Sequence, residues 1–267
     1  MGGIRPSGLN VNKPVVFGLL VAGLVLFLVY RNFLASPMGD KVTKEATVLK
    51  PVPSLDETEL QTKVDENMEV TVGDKTVKVY VQQVIKKSNQ FKLDVLFLHG
   101  NAFSSKNWTD LKTTDHVANW GYRAIAIDLP GKGRSSSVEV EPDKFLEAFI
   151  SKLQMTNIVI IAPSMSGRYA LPYLFNEPTK VSETVKGFVA VAPVETETYE
   201  SKYSASQIPT LIVYGSNDKA ISTFLPNLEK LPKHTTAEIK DAGHACYLNK
   251  PEEFHKILYN FLLEVSS

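Results

Sequence analysis

Residues 160–170 read IIAPSMSGRYA, an apolar run that stops at two serines and continues into helix-forming residues. A strand that turns sharply into a helix leaves its corner residue on a strained, exposed elbow, which suits a nucleophile. Such an elbow needs small residues two positions before and two positions after the corner. Ala162 and Ser166 satisfy this need around Ser164, whereas Arg168 violates it around Ser166. The stretch therefore predicts a buried strand, an elbow at Ser164 and a helix.

The motif alone leaves a second interpretation of Ser164 open. The residues APSMS replace both glycines of the G-x-S-x-G pattern that marks a nucleophile elbow. A serine at the end of a strand is also a common helix cap. The choice between nucleophile and cap therefore depends on whether the rest of the chain supplies a base and an acid.

Other apolar runs like the one before Ser164 alternate along the chain with helical patterns. Apolar residues recur at helical spacing in residues 145–153 and 254–262. Continuous runs of Val, Ile and Leu are typical of strands that are buried on both faces of a parallel sheet. The runs are 95–100, 122–130, 157–164, 185–194 and 210–215.

An alternating hairpin precedes these runs. Residues 69–72 and 77–81 alternate apolar and polar side chains, and a turn at 73–75 separates them. A hairpin followed by repeated strand–helix units predicts an α/β fold with a mostly parallel, doubly wound sheet. We expect one such domain over residues 66–267, a length that a single core can fill.

The composition limits the classes of partner and of site. The chain has 267 residues, 43% of them apolar, and a formal net charge of zero. Without basic clusters there is no electrostatic reason to expect nucleic acid as a partner. The single cysteine, Cys246, excludes an intrachain disulfide and a cysteine-based zinc site, and we interpret it as a buried structural thiol.

The N-terminal region has a different character. Residues 15–30 are uncharged, and with Pro14 they would form a helix of roughly 25 Å, close to the thickness of a bilayer core. We therefore predict a short tail (1–13), a transmembrane signal anchor (14–30) and a polar tether (31–65). The alternative is a cleaved signal peptide, but Phe33 stands where cleavage after Ala35 requires a small residue. Flanking charges do not decide the orientation of the anchor.

A nucleophilic serine needs a base and an acid that orients it. His244 follows a strand-like segment in the glycine-bearing loop DAGH, which puts it at the same sheet edge as Ser164. Asp218 lies just beyond the run 210–215, although a turn aspartate is the default interpretation there. Competing acids are Glu195, Glu197 and Asp128, and the last is expected to organise its own turn. His116, His234 and His255 are interpreted as solvated, and His99 as part of the turn at Gly100.

The oxyanion that forms during acyl transfer needs two preorganised donors. An elbow supplies the backbone N–H of the residue after the nucleophile, here Met165. The second donor is expected in the loop after Gly100, from Asn101 or Ala102, and the sequence does not decide between them.

Five segments together resemble successive landmarks of the α/β-hydrolase superfamily. Their amino-acid sequences are similar to those of the small α/β-hydrolase domain-containing protein 14 group. The apolar N-terminal segment is most similar to the membrane-anchored form of that group. The resemblance covers about residues 66–267 and implies Ser164, Asp218 and His244 as a triad. It also implies a single-pass type II membrane protein with a lumenal or extracellular domain. The segments are LFLHGNAFSSKNW, YRAIAIDLPGKGRSS, APSMSG, LIVYGSND and DAGHACYLNKPEEF.

The expected function is that of a serine hydrolase acting on an ester, thioester or amide acyl group, with no metal or redox cofactor. About fifteen residues separate the runs 185–194 and 210–215, too few for a separate cap domain. We therefore expect an open site that suits a small acyl group on a larger partner. Transfer of the acyl group to an acceptor other than water and a non-catalytic binding or signalling module remain alternatives. The triplet at Asn107 is a possible glycosylation site if the domain is lumenal.

Overall fold

A mostly parallel sheet forms the centre of the computed structural model, which describes residues 49–88 and 90–267. Its strands assemble in the order β1-β2-β4-β3-β5-β6-β7-β8. The β1–β2 and β2–β4 pairs are antiparallel, and all other pairs are parallel. The predicted α/β class and sheet type are therefore confirmed. The strands are β1 (Leu60–Val72), β2 (Lys75–Lys86), β3 (Asp94–Phe97), β4 (Arg123–Ile127), β5 (Ile158–Pro163), β6 (Val185–Val191), β7 (Thr210–Gly215) and β8 (His234–Ile239).

Helices connect the parallel strands, as is usual for the long crossover connections that such strands need. Both long helical patterns seen in the sequence are present, the first from Pro142 and the second from Pro251, a residue that suits the first helical turn. The helices are α1 (Ser105–Asp110), α2 (Thr113–Asn119), α3 (Pro142–Lys152), α4 (Gly167–Phe175), α5 (Pro178–Val181), α6 (Glu200–Tyr203), α7 (Ile221–Leu228), α8 (Cys246–Asn249) and α9 (Pro251–Val265).

Both faces of the sheet are buried, and the side chains of β3 show how. Leu96 packs into the cluster that includes Phe145 of α3, whereas Phe97 packs into the opposite cluster with Trp108 and Phe254. All five side chains are fully buried. Because alternate residues of one strand enter two different cores, most successive positions are apolar, which explains the continuous runs in the sequence.

The hairpin is longer than the sequence predicts. β1 begins at Leu60, so residues 60–65 of the predicted tether belong to the sheet and pair with the end of β2. Most side chains of β1 are exposed, and its register shifts between Asp65 and Met68. An edge strand without a buried face has no apolar alternation, so this part could not be recognised from the pattern.

The expected localisation, a single-pass type II membrane protein, is wrong as judged from residues 49–88 and 90–267. Within these residues no helix has both the length and the apolar character needed to cross a bilayer. The 15 residues of α9 span about 22 Å and present one apolar face to the sheet. The predicted tail (1–13) and anchor (14–30) lie outside the described residues.

The connection between β6 and β7 is short. It contains a 3-10 turn, Thr196–Tyr199, followed by α6. Tyr203 of α6 is buried, and its hydroxyl donates a 2.6 Å hydrogen bond to the carbonyl of Thr196, which folds the connection onto itself. This segment therefore covers the sheet locally, and no separate cap domain stands between these two strands.

One histidine is misassigned by the sequence pattern. His255, expected to be solvated, is 5% exposed on the inner face of α9, where its Nε2 lies 2.9 Å from the hydroxyl of Thr113. The ring of His116 is 4.7 Å away. Burial, and secondarily His116, lower the pKa of His255 to about 4. The expectation failed because α2 covers this position of α9, and that tertiary contact is not visible in a helical pattern.

We expect the free energy of unfolding to fall by up to about 3 kcal/mol as the pH drops from about 6.5 to about 4, because of His255. Its pKa is lower in the folded than in the unfolded chain, so the unfolded chain binds the proton first. The measurement is urea unfolding at several pH values in this window. In His255→Gln this part of the pH dependence should disappear, whereas His234→Gln should keep it. If the free energy of unfolding of His255→Gln depends on pH as strongly as that of the parent protein, His255 is not the cause.

Candidate active site

The sharp turn after β5 puts Ser164 at its corner. Ser164 has a φ of +49°, in the left-handed region that residues with a side chain seldom adopt. A 3-10 turn, Ser164–Ser166, then leads into α4. Ser166 is fully buried, and its hydroxyl donates a 2.8 Å hydrogen bond to the carbonyl of Pro163. The structure thus gives Ser164 the elbow position and Ser166 the role of the small residue behind it.

Gly167 allows the elbow to pack against the chain after β6. A Cβ atom at Gly167 would lie 2.6 Å from the carbonyl oxygen of Val194, closer than real contacts allow. The N–H of Val194 donates a 3.1 Å hydrogen bond to the carbonyl of Ser164. This role of Gly167 was not predicted from the sequence, where the available signal was a glycine three residues after the corner.

Ser164, His244 and Asp218 form a hydrogen-bonded row. Nε2 of His244 lies 2.9 Å from Oγ of Ser164, and Nδ1 lies 2.8 Å from Oδ2 of Asp218. Oδ1 of Asp218 accepts a 2.9 Å hydrogen bond from the N–H of Ala220. The Asp218 side chain is 3% exposed and that of His244 is 45% exposed. The acid is thus enclosed and fixed, while the imidazole between it and the serine is open to solvent.

The loops that carry Asp218 and His244 are fastened to each other. The N–H of Asn217 donates to the carbonyl of Ala242 at 2.9 Å, and the N–H of Asp241 donates to the Ser216 hydroxyl at 2.9 Å. Gly215 has no room for a side chain, since its Cβ would overlap the Ala242 carbonyl oxygen. This close approach sets the distance between the acid and the imidazole.

The competing acids have other partners. Glu195 forms a 2.8 Å ion pair with Arg168, and Glu197 is exposed. Asp128 is fully buried and accepts hydrogen bonds from the N–H groups of Ser105 and Arg134, at 2.8 Å each. As expected from the sequence, Asp128 organises its own turn.

His99 also acts in a turn. Its Nε2 accepts a 3.0 Å hydrogen bond from the N–H of Leu129, so its Nδ1 carries the proton and donates to the carbonyl of Gly100 at 2.9 Å. Burial lowers the pKa of His99, which favours this neutral form. The imidazole thereby joins the end of β3 to the loop after β4.

Loop residues after Gly100 lie beside Ser164. A Cβ atom at Gly100 would be 3.7 Å from Cβ of Ser164. Among the described residues, the N–H groups of Asn101 and Ala102 have no hydrogen-bond acceptor, whereas the N–H of Phe103 donates to the Gly100 carbonyl. The side chain of Asn101 accepts a 2.7 Å hydrogen bond from Nζ of Lys132. Two free amides therefore stand next to the serine.

A cavity of about 180 Å³ opens at this point. Its aromatic lining comes from Phe103 and Tyr247, neither of which was predicted from the sequence as a site residue. Cys246 is buried behind it, and burial raises the pKa of its thiol to about 12, which leaves it protonated and unreactive as a nucleophile. The cavity lining is Gly100, Asn101, Ala102, Phe103, Pro163, Ser164, His244, Ala245 and Tyr247.

The possible glycosylation residue, Asn107, lies in the first turn of α1. Its Oδ1 accepts a 3.0 Å hydrogen bond from the N–H of Ser104, and so it caps the helix together with the Ser104 side chain. The side chain has an intermediate exposure. Modification at this site stays a prediction.

We expect Gly167→Ala to destabilise the fold by about 1–3 kcal/mol and to displace the elbow, because its methyl group would overlap a backbone carbonyl. Gly243→Ala is the matched control, since its Cβ would have no neighbour closer than Oδ1 of Asn249 at 3.6 Å. Thermal unfolding of both variants measures the difference. Equal melting temperatures would show that the elbow adapts more freely than its packing indicates.

Comparison with known proteins supports both the fold and the family. Protein ABHD14A of Mus musculus is 40% identical over 192 residues, which cover 69% of this chain and 76% of that protein. The human "Putative protein-lysine deacylase ABHD14B" is 40% identical over 205 residues, 74% of this chain and 96% of that protein. No protein-family model matches the chain.

Solved structures share the fold. The crystal structure of a predicted CIB-like hydrolase from Thermoplasma acidophilum has a TM-score of 0.67 at 24% identity and covers 76% of this chain and 100% of that one. An esterase from Exiguobacterium antarcticum has a TM-score of 0.62 at 16% identity and covers 75% of this chain and 100% of that one. The expected enzyme class, a serine hydrolase of the α/β-hydrolase fold, is confirmed by the relatives at the level of class. The chain belongs to the ABHD14 family of α/β hydrolases.

Proposed function

We propose that the protein removes acyl groups through an acyl-enzyme on Ser164, with His244 as the base and Asp218 as the orienting acid. The observation that carries the proposal is the unbroken hydrogen-bonded row from Ser164 Oγ through the imidazole to Asp218. These contacts join residues that are 80 and 26 positions apart in the chain. A helix-capping serine would need neither of them.

Acylation begins with transfer of the Ser164 hydroxyl proton to Nε2 of His244. Oγ then forms a bond to the acyl carbonyl carbon, and the carbonyl electrons move onto its oxygen. Asp218 accepts a hydrogen bond from Nδ1–H, which keeps Nε2 free to take the proton and stabilises the imidazolium. When the tetrahedral intermediate collapses, the bond to the leaving group breaks, and the leaving group takes the proton from Nε2.

Backbone amides stabilise the negative oxygen of the intermediate. Met165 supplies one N–H as the residue after the nucleophile, and Asn101 or Ala102 supplies the other. Among the described residues, the N–H groups of Asn101 and Ala102 have no acceptor, and both residues line the cavity beside Ser164; these observations support the role. Since these donors are fixed by the elbow and by the turn at Gly100, no reorganisation is needed as the charge develops.

Water completes the cycle. His244 takes a proton from the water as its oxygen attacks the acyl carbon, and Ser164 leaves with the proton from Nε2, which releases the carboxylic acid. Another acceptor that enters by the same route would receive the acyl group instead, and acyl transfer therefore remains the second candidate.

A small acyl group on a large partner is the substrate class that we propose. His244 is 45% exposed along its side chain, and the short β6–β7 connection leaves the serine accessible to a bulky molecule. The small cavity beside it admits only a small group. An acylated lysine in a protein has both properties, and the name of the human relative points to the same class.

Ser164→Ala should abolish labelling by a fluorophosphonate probe, which reacts with an activated serine, and His244→Ala should reduce it by about 10³-fold or more. The measurement is in-gel fluorescence of the purified protein. Ser166→Ala is the matched control: this buried hydroxyl donates its hydrogen bond to the Pro163 carbonyl, so labelling should persist. If the folded parent protein fails to label, the proposed chemistry is wrong and a non-catalytic binding role becomes the better explanation.

Asp218→Asn should lower kcat on a short-chain ester by roughly 10³–10⁴-fold and change KM little, because the amide holds the imidazole in the wrong tautomer. Stopped-flow or steady-state hydrolysis of the ester measures kcat and KM for each variant. Glu195→Gln provides the comparison, since Glu195 pairs with Arg168 on the surface and should alter kcat by less than about twofold. A similar loss in both variants would remove Asp218 from the proposed triad.

A further inference from the structure

Tyr247 lies in the wall of the cavity that contains Ser164 and His244, yet the proposed mechanism does not use it. Its side chain is held firmly. The ring stacks on Trp108 at a centroid distance of 4.5 Å and an interplanar angle of 24°. It also meets Phe103 edge-on at 6.4 Å and Phe254 at 5.9 Å. Only 2% of the residue is exposed.

The hydroxyl of Tyr247 differs from other buried polar groups of the same kind. Tyr203 donates to Thr196, Tyr122 bonds to Ser266, and Trp108 donates its indole N–H to Leu98. No described residue forms a hydrogen bond with the Tyr247 hydroxyl. Nor is that oxygen among the fully enclosed polar atoms that lack a partner. Tyr247 lines the cavity, and a buried hydroxyl is expected to have a hydrogen-bond partner.

The size of the cavity limits that partner. A dry protein cavity of about 150 Å³ holds benzene, a molecule of six heavy atoms. The 180 Å³ beside Ser164 therefore accommodates a group of about that size, whereas a peptide or a cofactor must stay outside. Of the two parts of the substrate, only the acyl group fits.

We infer that Tyr247 is a specificity-determining residue whose hydroxyl binds a neutral polar substituent, a hydroxyl or carbonyl group, on an acyl chain of about six heavy atoms. This inference rests on the proposed acyl-enzyme at Ser164. Burial raises the pKa of Tyr247, so the phenol keeps its proton and donates a hydrogen bond. An unsubstituted chain would fill the same space and leave the phenol unpaired.

Paired esters that share one fluorogenic alcohol test the inference. Each pair compares a hydroxybutyryl ester, with its hydroxyl on carbon 2, 3 or 4, with the ester that carries a methyl group in place of that hydroxyl. For at least one pair, the parent protein should prefer the hydroxyl by about tenfold in kcat/KM, and Tyr247→Phe should bring the ratio to about one. In Tyr247→Phe, kcat/KM should fall for the hydroxyl ester and stay unchanged for the methyl ester.

Tyr122→Phe is the matched control, since it removes a buried hydroxyl that is bonded to Ser266, at the opposite end of the sheet from Ser164. It should leave every ratio unchanged. Even if Tyr247→Phe does not fold, the parent protein can overturn the inference, because the inference requires a preference in at least one pair. A parent protein that labels with fluorophosphonate but shows no preference in any pair overturns the role of Tyr247 and leaves the proposed hydrolase intact. Failure to label overturns both.

Discussion

The left-handed backbone of Ser164 is the constraint on which the rest of the site depends. A residue with a side chain adopts a positive φ at a cost of roughly 1–3 kcal/mol and keeps it only where its surroundings allow no alternative. Here β5 is buried on both faces and paired on both edges, so the strand cannot shift to relieve the strain. After the turn, the close contact between Gly167 and Val194 prevents the helix from shifting as well. Core packing thus sets the direction of one hydroxyl.

Parallel topology explains how residues far apart in the sequence reach this hydroxyl. β3, β5 and β7 run in the same direction, so the segments that follow them meet at one edge of the sheet. The free amides follow β3, the serine follows β5, and the acid follows β7. His244 comes after β8, and the contact between Gly215 and the Ala242 carbonyl brings its loop back to the acid. Register within the sheet therefore determines the distances within the site.

Elements with a strong local signal could be predicted from the sequence. β7 matches the run 210–215 residue for residue, because the central positions of a strand buried on both faces are apolar. The elbow was visible in the small residues around Ser164. The start of β1 was missed because that edge strand buries almost no side chain, and His255 was misassigned because only its contact with α2 buries it. Tyr247 gave no signal, since the position of its ring depends on Trp108, 139 positions earlier in the chain.

The residues of the site differ in their exposure to solvent, and this difference limits how the protein can select a substrate in the proposed reaction. Asp218 is enclosed, while His244 on the serine side is nearly half exposed, so water reaches its imidazole directly. A lid that closed on the substrate would discriminate by induced fit, but the β6–β7 connection is folded onto itself through Tyr203 and Thr196. Discrimination must then come from side chains already in place. In the proposed acyl-enzyme, Phe103 and Tyr247 limit the size of the acyl group, and in a rigid cavity each missing or added methyl group changes binding by about 1–3 kcal/mol. A bound acyl group gains more selectivity from one fixed hydrogen bond than from additional apolar surface, because the protein group that loses its partner stays buried and unpaired.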